Sequence, residues 1–195
     1  MKIYTLILVA LSLFSQAACS DQSAESYFKD GLWALNNDDV KGAIKNYKVA
    51  IEIKPNYHEV RHRLAFILIE EKKLDEAKFH CDYLIENNAL EFSPHYCIGL
   101  IHFENNSFKA AANFLEKQMK FDPGSVGPSI WLAKAYIKLK RFEDAEKSLL
   151  HEKSREDYDI EYNRLMGEIL LGQGDDKKAQ VFLSRAKSLY REYSK

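Results

Sequence analysis

Residues 40–55, VKGAIKNYKVAIEIKP, set the phase of the whole chain. Ala43, Tyr47, Ala50 and Ile51 recur at three-and-four spacing, the mark of an amphipathic helix with one buried stripe. Pro55 then stops it, because proline lacks the N–H that the helical ladder needs. Ahead of this run lies a polar turn, Asn37-Asp38-Asp39, and before that a second apolar-periodic run from Ala24 to Asn36. The unit reads as two amphipathic helices joined by a short turn.

The unit repeats. Ala43 returns as Ala77, Ala111, Ala145 and Ala179, at steps of 34 residues. A second ladder of small residues, Gly31, Ala65, Gly99, Ala133 and Gly167, keeps the same step, and so does a third, Tyr47, Cys81, Leu115, Leu149 and Leu183. Self-similarity at a fixed period marks stacked supersecondary units that bury their apolar faces against one another. A small residue on each helix predicts close backbone approach, with Gly31 facing Ala43 or its neighbours. Punctuation keeps the phase: Pro55 and Pro123 close second helices, while Ser93-Pro94 and Gly127-Pro128 open the next ones, where a missing N–H costs nothing. Turns are expected at residues 36–39, 70–73, 105–107 and 172–175.

Period, paired helices and the pattern Tyr27, Gly31, Ala43, Tyr47, Ala50, Pro55 resemble the tetratricopeptide repeat. The resemblance covers residues 24–57, 58–91, 92–125, 126–159 and 160–193, and implies an all-α, right-handed α-solenoid of five helix-turn-helix repeats. It also implies a protein or peptide partner, held in a concave groove lined by the first helices. The matching inward positions are Phe28, Leu32, His62 and Phe66, then Tyr96, Leu100, Phe103, Ile130 and Lys134, so the wall is apolar and aromatic and becomes more charged towards Glu168. Packing between repeats is the competing use for several of these residues. A subclass clamps acidic C-termini with basic groove residues. Here those places hold Phe28, Leu32, Arg63, Ser93 and Cys97, so an apolar-anchored ligand is expected instead. Three positions depart from the family pattern: Asp30 replaces a large apolar residue, and Gln118 and Glu152 replace a late alanine. The polar stretch HEKSREDYD (residues 151–159) is expected to be the loosest seam, and the last helix, 176–193, carries enough Lys and Arg to cap the array.

The first 18 residues are of a different kind. Lys2 precedes an apolar run, Ile3 to Phe14, too short for a permanent membrane span, and small residues follow, which is the layout of a secretory signal. Ala17-Ala18-Cys19 resembles a lipoprotein site, making Cys19 the expected lipid-attachment residue, with residues 19–23 as a polar tether and the outer membrane, facing the periplasm, as the expected location. Gln16 stands where such signals normally carry leucine, which favours an ordinary cleavage and a soluble periplasmic protein. Acylation of Cys19 would leave Cys81 and Cys97 as an even pair. A disulfide is permitted by number, but two half-buried thiols in a helical core are the favoured expectation.

A formal net charge of −1 suggests neither nucleic acid nor an acidic membrane surface as partner. One catalytic pattern occurs: His58-Glu59-Val60-Arg61-His62 places two histidines one helical turn apart with a glutamate between, as in zinc proteases. Arg61 falls where such helices carry an uncharged residue, the third histidine of the longer form would fall at Leu68, and the stretch opens a repeat already explained. No nucleophile elbow, phosphate-binding glycine loop or dinucleotide fingerprint is present. The expectation is a non-enzymatic scaffold with no catalytic residue, metal or cofactor.

Overall fold

The computed structural model describes residues 23–156 and 159–194, and all regular structure among them is helical. Expectations for the signal segment and for Cys19 lie outside these residues. The helices pair along the chain: α1 (residues 23–36) with α2 (Val40–Ile53), α3 (His58–Glu70) with α4 (Leu74–Glu86), and α5 (Pro94–Glu104) with α6 (Phe108–Phe121). Then follow α7 (Val126–Lys138) with the short α8 (Phe142–Ser148), and α9 (Ile160–Gly172) with α10 (Asp176–Tyr193). Two 3-10 helices, Leu90–Phe92 and Leu150–Arg155, interrupt the alternation. The helical-repeat class read from the period is the class found. The chain divides into two compact units, Met1–Pro94 and His95–Lys195.

The alanine ladder explains the pairing. Ala43, Ala77, Ala111, Ala145 and Ala179 are all 0% exposed, so each second helix meets its neighbours at a point with no room for a larger side chain. The expected close approach at Gly31 is present, but its partner is the third ladder. A Cβ on Gly31 would lie 2.3 Å from the Tyr47 ring, and Gly99 and Gly167 meet Leu115 at 2.8 Å and Leu183 at 2.5 Å. The glycines are therefore the concavities into which the largest ladder side chains fit. In the first unit Tyr47, Leu64, Leu68 and Leu84 are fully buried around these contacts. In the second, Leu115, Leu132, Tyr136, Leu165 and Ile169 form one cluster.

The turns inside the pairs show a rule that the sequence hid. Asp38, Lys72, Asn106, Lys140 and Gly174 all have φ between 56° and 82°, again at steps of 34 residues. The residue after each donates its N–H back to the preceding helix, as in Asp39 to Ala34 (2.8 Å), Arg141 to Tyr136 (2.9 Å) and Asp175 to Leu170 (2.9 Å). This is the Schellman closure, which favours glycine at the left-handed residue. Only the last turn has it. Lys140→Gly relieves the left-handed penalty and is expected to raise the unfolding free energy by about 0.5–1 kcal/mol, after the unfolded-state cost of glycine. Urea melting of the two proteins checks it.

The polar seam departs from the repeat. α8 ends at Ser148, where other second helices run to 13 residues or more, and the 3-10 helix replaces its second half. Polar groups tie this segment to α9 and α10. Asn163, fully buried, donates its Nδ2 to the carbonyls of Glu156 at 2.6 Å and Asp159 at 2.8 Å. Asp159 caps α9 by accepting from the Tyr162 N–H at 2.8 Å, and Arg185 pairs with Glu156. Hydrogen bonds and an ion pair, in place of the missing helical turns, hold this seam.

Candidate functional site

Within the first unit the expected binding residues fall into two environments. Phe28 is only 7% exposed; its ring lies 5.9 Å from Tyr47 and 5.5 Å from Tyr57. Its contribution is packing, with the Arg63 guanidinium 5.6 Å above its outer face. Leu32, His62 and Phe66 remain half-buried on α1 and α3. The His62 and Phe66 rings meet at a tilt, 4.8 Å apart, and the ring of Phe92, from the 3-10 helix, lies 6.1 Å from His62. The His62 Nδ1–H donates to the Phe92 carbonyl at 2.6 Å, which fixes the neutral tautomer with its lone pair on Nε2. Burial pushes the His62 pKa down, partly offset by that hydrogen bond.

The zinc-like pattern takes a different role in the structure. His58 packs its ring against Tyr83 and Phe92 at 6.2 and 6.1 Å. Glu59, the residue such chemistry would need as a base, accepts two hydrogen bonds from Arg63, at 3.0 and 3.2 Å. Among the described residues no group of three or more histidines, cysteines or acidic residues converges as a metal site would require. Arg61, the odd residue in the pattern, is buried at 5% exposure.

Within the second unit, Tyr96, Phe103, Ile130 and Trp131 pack over the apolar cluster, each only half-buried. Gly127 permits the approach of Tyr96, since a Cβ there would lie 3.0 Å from the hydroxyl. Phe103 meets Trp131 edge-on at 4.9 Å. Leu100 is 7% exposed and belongs to the core. Lys134 closes the aromatic patch: its Nζ lies 4.3 Å over the Trp131 ring and 2.7 Å from Glu161 Oε1. Arg164 then bridges Glu161 at 2.8 Å and Glu168 at 3.2 Å. Hydrogen bonds from Arg164 first, and from Lys134, pull the Glu161 carboxyl down to about 2. From Trp131 to Glu168 the side chains thus pass from aromatic to a chain of alternating charges. Phe92 and Trp131 were not anticipated. Trp131 sits one position from Ile130 on the same helix, and Phe92 lies on a linker without helical period.

Each of the two described cysteines is disulfide-bonded, Cys81 on α4 and Cys97 on α5, at 0% and 1% exposure. The favoured expectation of free, half-buried thiols is therefore corrected: both sulfurs are fully buried and oxidised, and act as cross-links rather than as small hydrophobes. Among the described residues no helix is long and apolar enough to cross a membrane.

The model of a family described as "Anaphase-promoting complex, cyclosome, subunit 3" matches residues 70–152, less than half of the chain. Solved structures match over most of its length. MamA 41-end from Desulfovibrio magneticus RS-1 is 18% identical with a TM-score of 0.73, covering 87% of this chain and 96% of the other. A crystal structure of MamA protein is 17% identical with a TM-score of 0.70, over 89% and 94% of the two chains. A thermophilic TPR protein from Thermus thermophilus is 15% identical with a TM-score of 0.68, over 88% and 97%. No curated protein matches the chain by sequence. At these identities the neighbours speak for the fold. Together with the unbroken period and the helix pairing, they give the chain the helical-repeat fold of a tetratricopeptide-repeat solenoid.

Proposed function

We propose that this chain is a non-enzymatic scaffold or assembly factor of the bacterial cell envelope, which holds a peptide or helix of a partner protein on its first-helix surface. One observation carries the reading. Each unit keeps a half-buried aromatic patch on its first helices, His62–Phe66 with Phe92 in one and Tyr96–Phe103 with Trp131 in the other. Aromatic side chains kept partly in water rather than in the core are what a protein partner uses as anchors. The oxidised Cys81 and Cys97 support export, because structural disulfides persist outside the reducing cytosol. With the signal-like N-terminus, this favours a lipoprotein acylated on Cys19 and tethered to the outer membrane. A soluble periplasmic adaptor of a secretion or polysaccharide system is the second reading, favoured by Gln16.

Affinity capture from native membranes tests the binding role, with wild type compared against Phe66→Ala and Trp131→Ala. Both substitutions are expected to cut recovery of the same partner at least tenfold while the helical signal is kept, consistent with a hot-spot loss of about 1.4 kcal/mol or more. Unchanged recovery with both variants rejects the aromatic surface. Mass spectrometry of the native protein separates the two locations: acyl chains on Cys19 are expected, and a mature N-terminus without them leaves the soluble adaptor.

A further inference from the structure

The least expected side chain in the first unit is Arg61, and it belongs to neither aromatic patch. It occupies an apolar phase of α3 and is buried at 5% exposure. Its Nε–H donates to the Pro55 carbonyl at 2.7 Å, its Nη1 to His80 Nδ1 at 3.2 Å, and its plane covers the Tyr83 ring at 3.7 Å. None of these partners is anionic. Among the described residues no carboxylate lies within ion-pair distance of it, and desolvation lowers its pKa, with Tyr83 opposing. A buried cation without a counter-ion is costly. Even with the Tyr83 hydroxyl taken as a third acceptor, two of its five N–H groups are left over.

Arg61 lines a cavity of about 400 Å³ between α2 and α4, with Lys48, Ile51, Glu76, Phe79 and His80 among its walls. An arginine only donates, so His80 must accept at Nδ1 and carry its proton on Nε2. His80 is itself 6% exposed, and it adds a second donor to the cavity wall. At the mouth Lys48 and Glu76 pair at 2.5 Å and offset each other; Glu52 is exposed there and brings a negative charge. Phe79 is 62% exposed and shares the wall with Ile51, so the surface next to the donors is apolar.

We infer that this cavity binds a carboxylate carried next to an apolar side chain, with Arg61 as the fixed fork, His80 as second donor and Phe79 as the apolar wall. A carboxylate is planar and accepts two parallel N–H bonds, which matches the remaining edge of a guanidinium held rigid by three contacts. It supplies the missing counter-ion without reorganising the pocket, so the cost already present in the unliganded protein becomes binding energy. The site is built by second helices and the start of α3, separate from the aromatic first-helix surface. A small branched acid and the C-terminus of a peptide share this chemistry.

The test is nuclear magnetic resonance titration of the full chain with N-acetyl-leucine and N-acetyl-leucinamide, following the Arg61 Nε–H signal. The acid is expected to shift that signal saturably and to bind at least tenfold more tightly than the amide; equal affinities overturn the proposal. Glycyl-glycyl-leucine with a free C-terminus is the second arm: tighter binding than N-acetyl-leucine assigns the site to peptide ends, and equal or weaker binding assigns it to small acids. Arg61→Gln is expected to lose at least tenfold in affinity for the acid. Should that variant lose its helical signal, Phe79→Ala, a change at an exposed position, is expected to weaken binding about threefold to tenfold, and full affinity in it counts against the proposal.

Discussion

Replacing Tyr47 by alanine is expected to lower the unfolding free energy by about 3–5 kcal/mol, the range for deleting a buried aromatic, whereas Tyr47→Phe raises it by about 1 kcal/mol. The two outcomes come from different parts of one side chain. The ring is 0% exposed, lies over the open face of Gly31 and packs against Phe28; removing it empties the contact around which α1 and α2 close. The hydroxyl is buried with no hydrogen-bond partner among the described residues, and burial raises its pKa. Taking it away removes a desolvation cost and no bond. A double variant separates packing from propensity. Gly31→Ala destabilises wild type because its Cβ would sit 2.3 Å from the ring. In the Tyr47→Ala background the same change is expected to stabilise by up to about 1 kcal/mol, through helix propensity alone. Urea melts read at constant m-value check all four variants against wild type. A destabilising Tyr47→Phe would mean that the hydroxyl is bonded after all.

What could be read from the sequence depends on whether the cause was local. Helix bounds such as Val40–Ile53 and Asp176–Tyr193 followed from spacing, caps and prolines, all within one turn of the residue concerned. The ladders were legible because a 34-residue step repeats the same packing problem, and its small-residue solution, along the chain. The left-handed turn residues were not, because four of the five are Asp, Lys or Asn and carry no glycine signal. The binding residues divide the same way. Helical phase placed Phe28 and Phe66 on one kind of face, but phase alone does not say whether a neighbouring helix covers it. Phe28 is covered by Tyr47 and Tyr57, whereas Phe66 stays half-buried beside His62. Phe92 escaped because it reaches His62 from a 3-10 segment outside the repeat pattern. Arg61 looked like an obstacle to zinc chemistry. Its partners on α4, His80 and Tyr83, come from the other helix of the same repeat, and no local pattern pairs them.

Acid is expected to weaken the first unit through His80 in a window set by its own titration. Burial first, and then the Arg61 charge, lower its pKa from the ordinary 6.5 to about 4, with Lys48 adding to the effect and Glu76 opposing it. Glu52 is the other charged group at that cavity, on α2. The unfolded chain therefore takes up a proton between about 6.5 and 4 that the folded chain refuses. Stability is full above about pH 6.5, falls as pH drops through that window, and levels below about 4, where both states are protonated. One proton allows a slope of at most about 1.4 kcal/mol per pH unit; with local relaxation around the charged ring, a total loss of about 2 kcal/mol is expected. His62 and His95 are also pushed down by burial, so the whole-chain profile contains their share. Subtracting the profile of His80→Gln isolates the residue: the variant is expected to be flatter by about one proton between about pH 4 and 6.5. Glu161, held at about 2 by Arg164 and Lys134, acts only below its ordinary value of 4.5, in the other unit, and overlaps this window only at its acid edge. Because the neutral ring is what accepts the Arg61 N–H, protonation also places a cation against a buried cation. Parallel profiles for wild type and His80→Gln would refute the assignment, and with it the neutral tautomer on which the Arg61 contact depends.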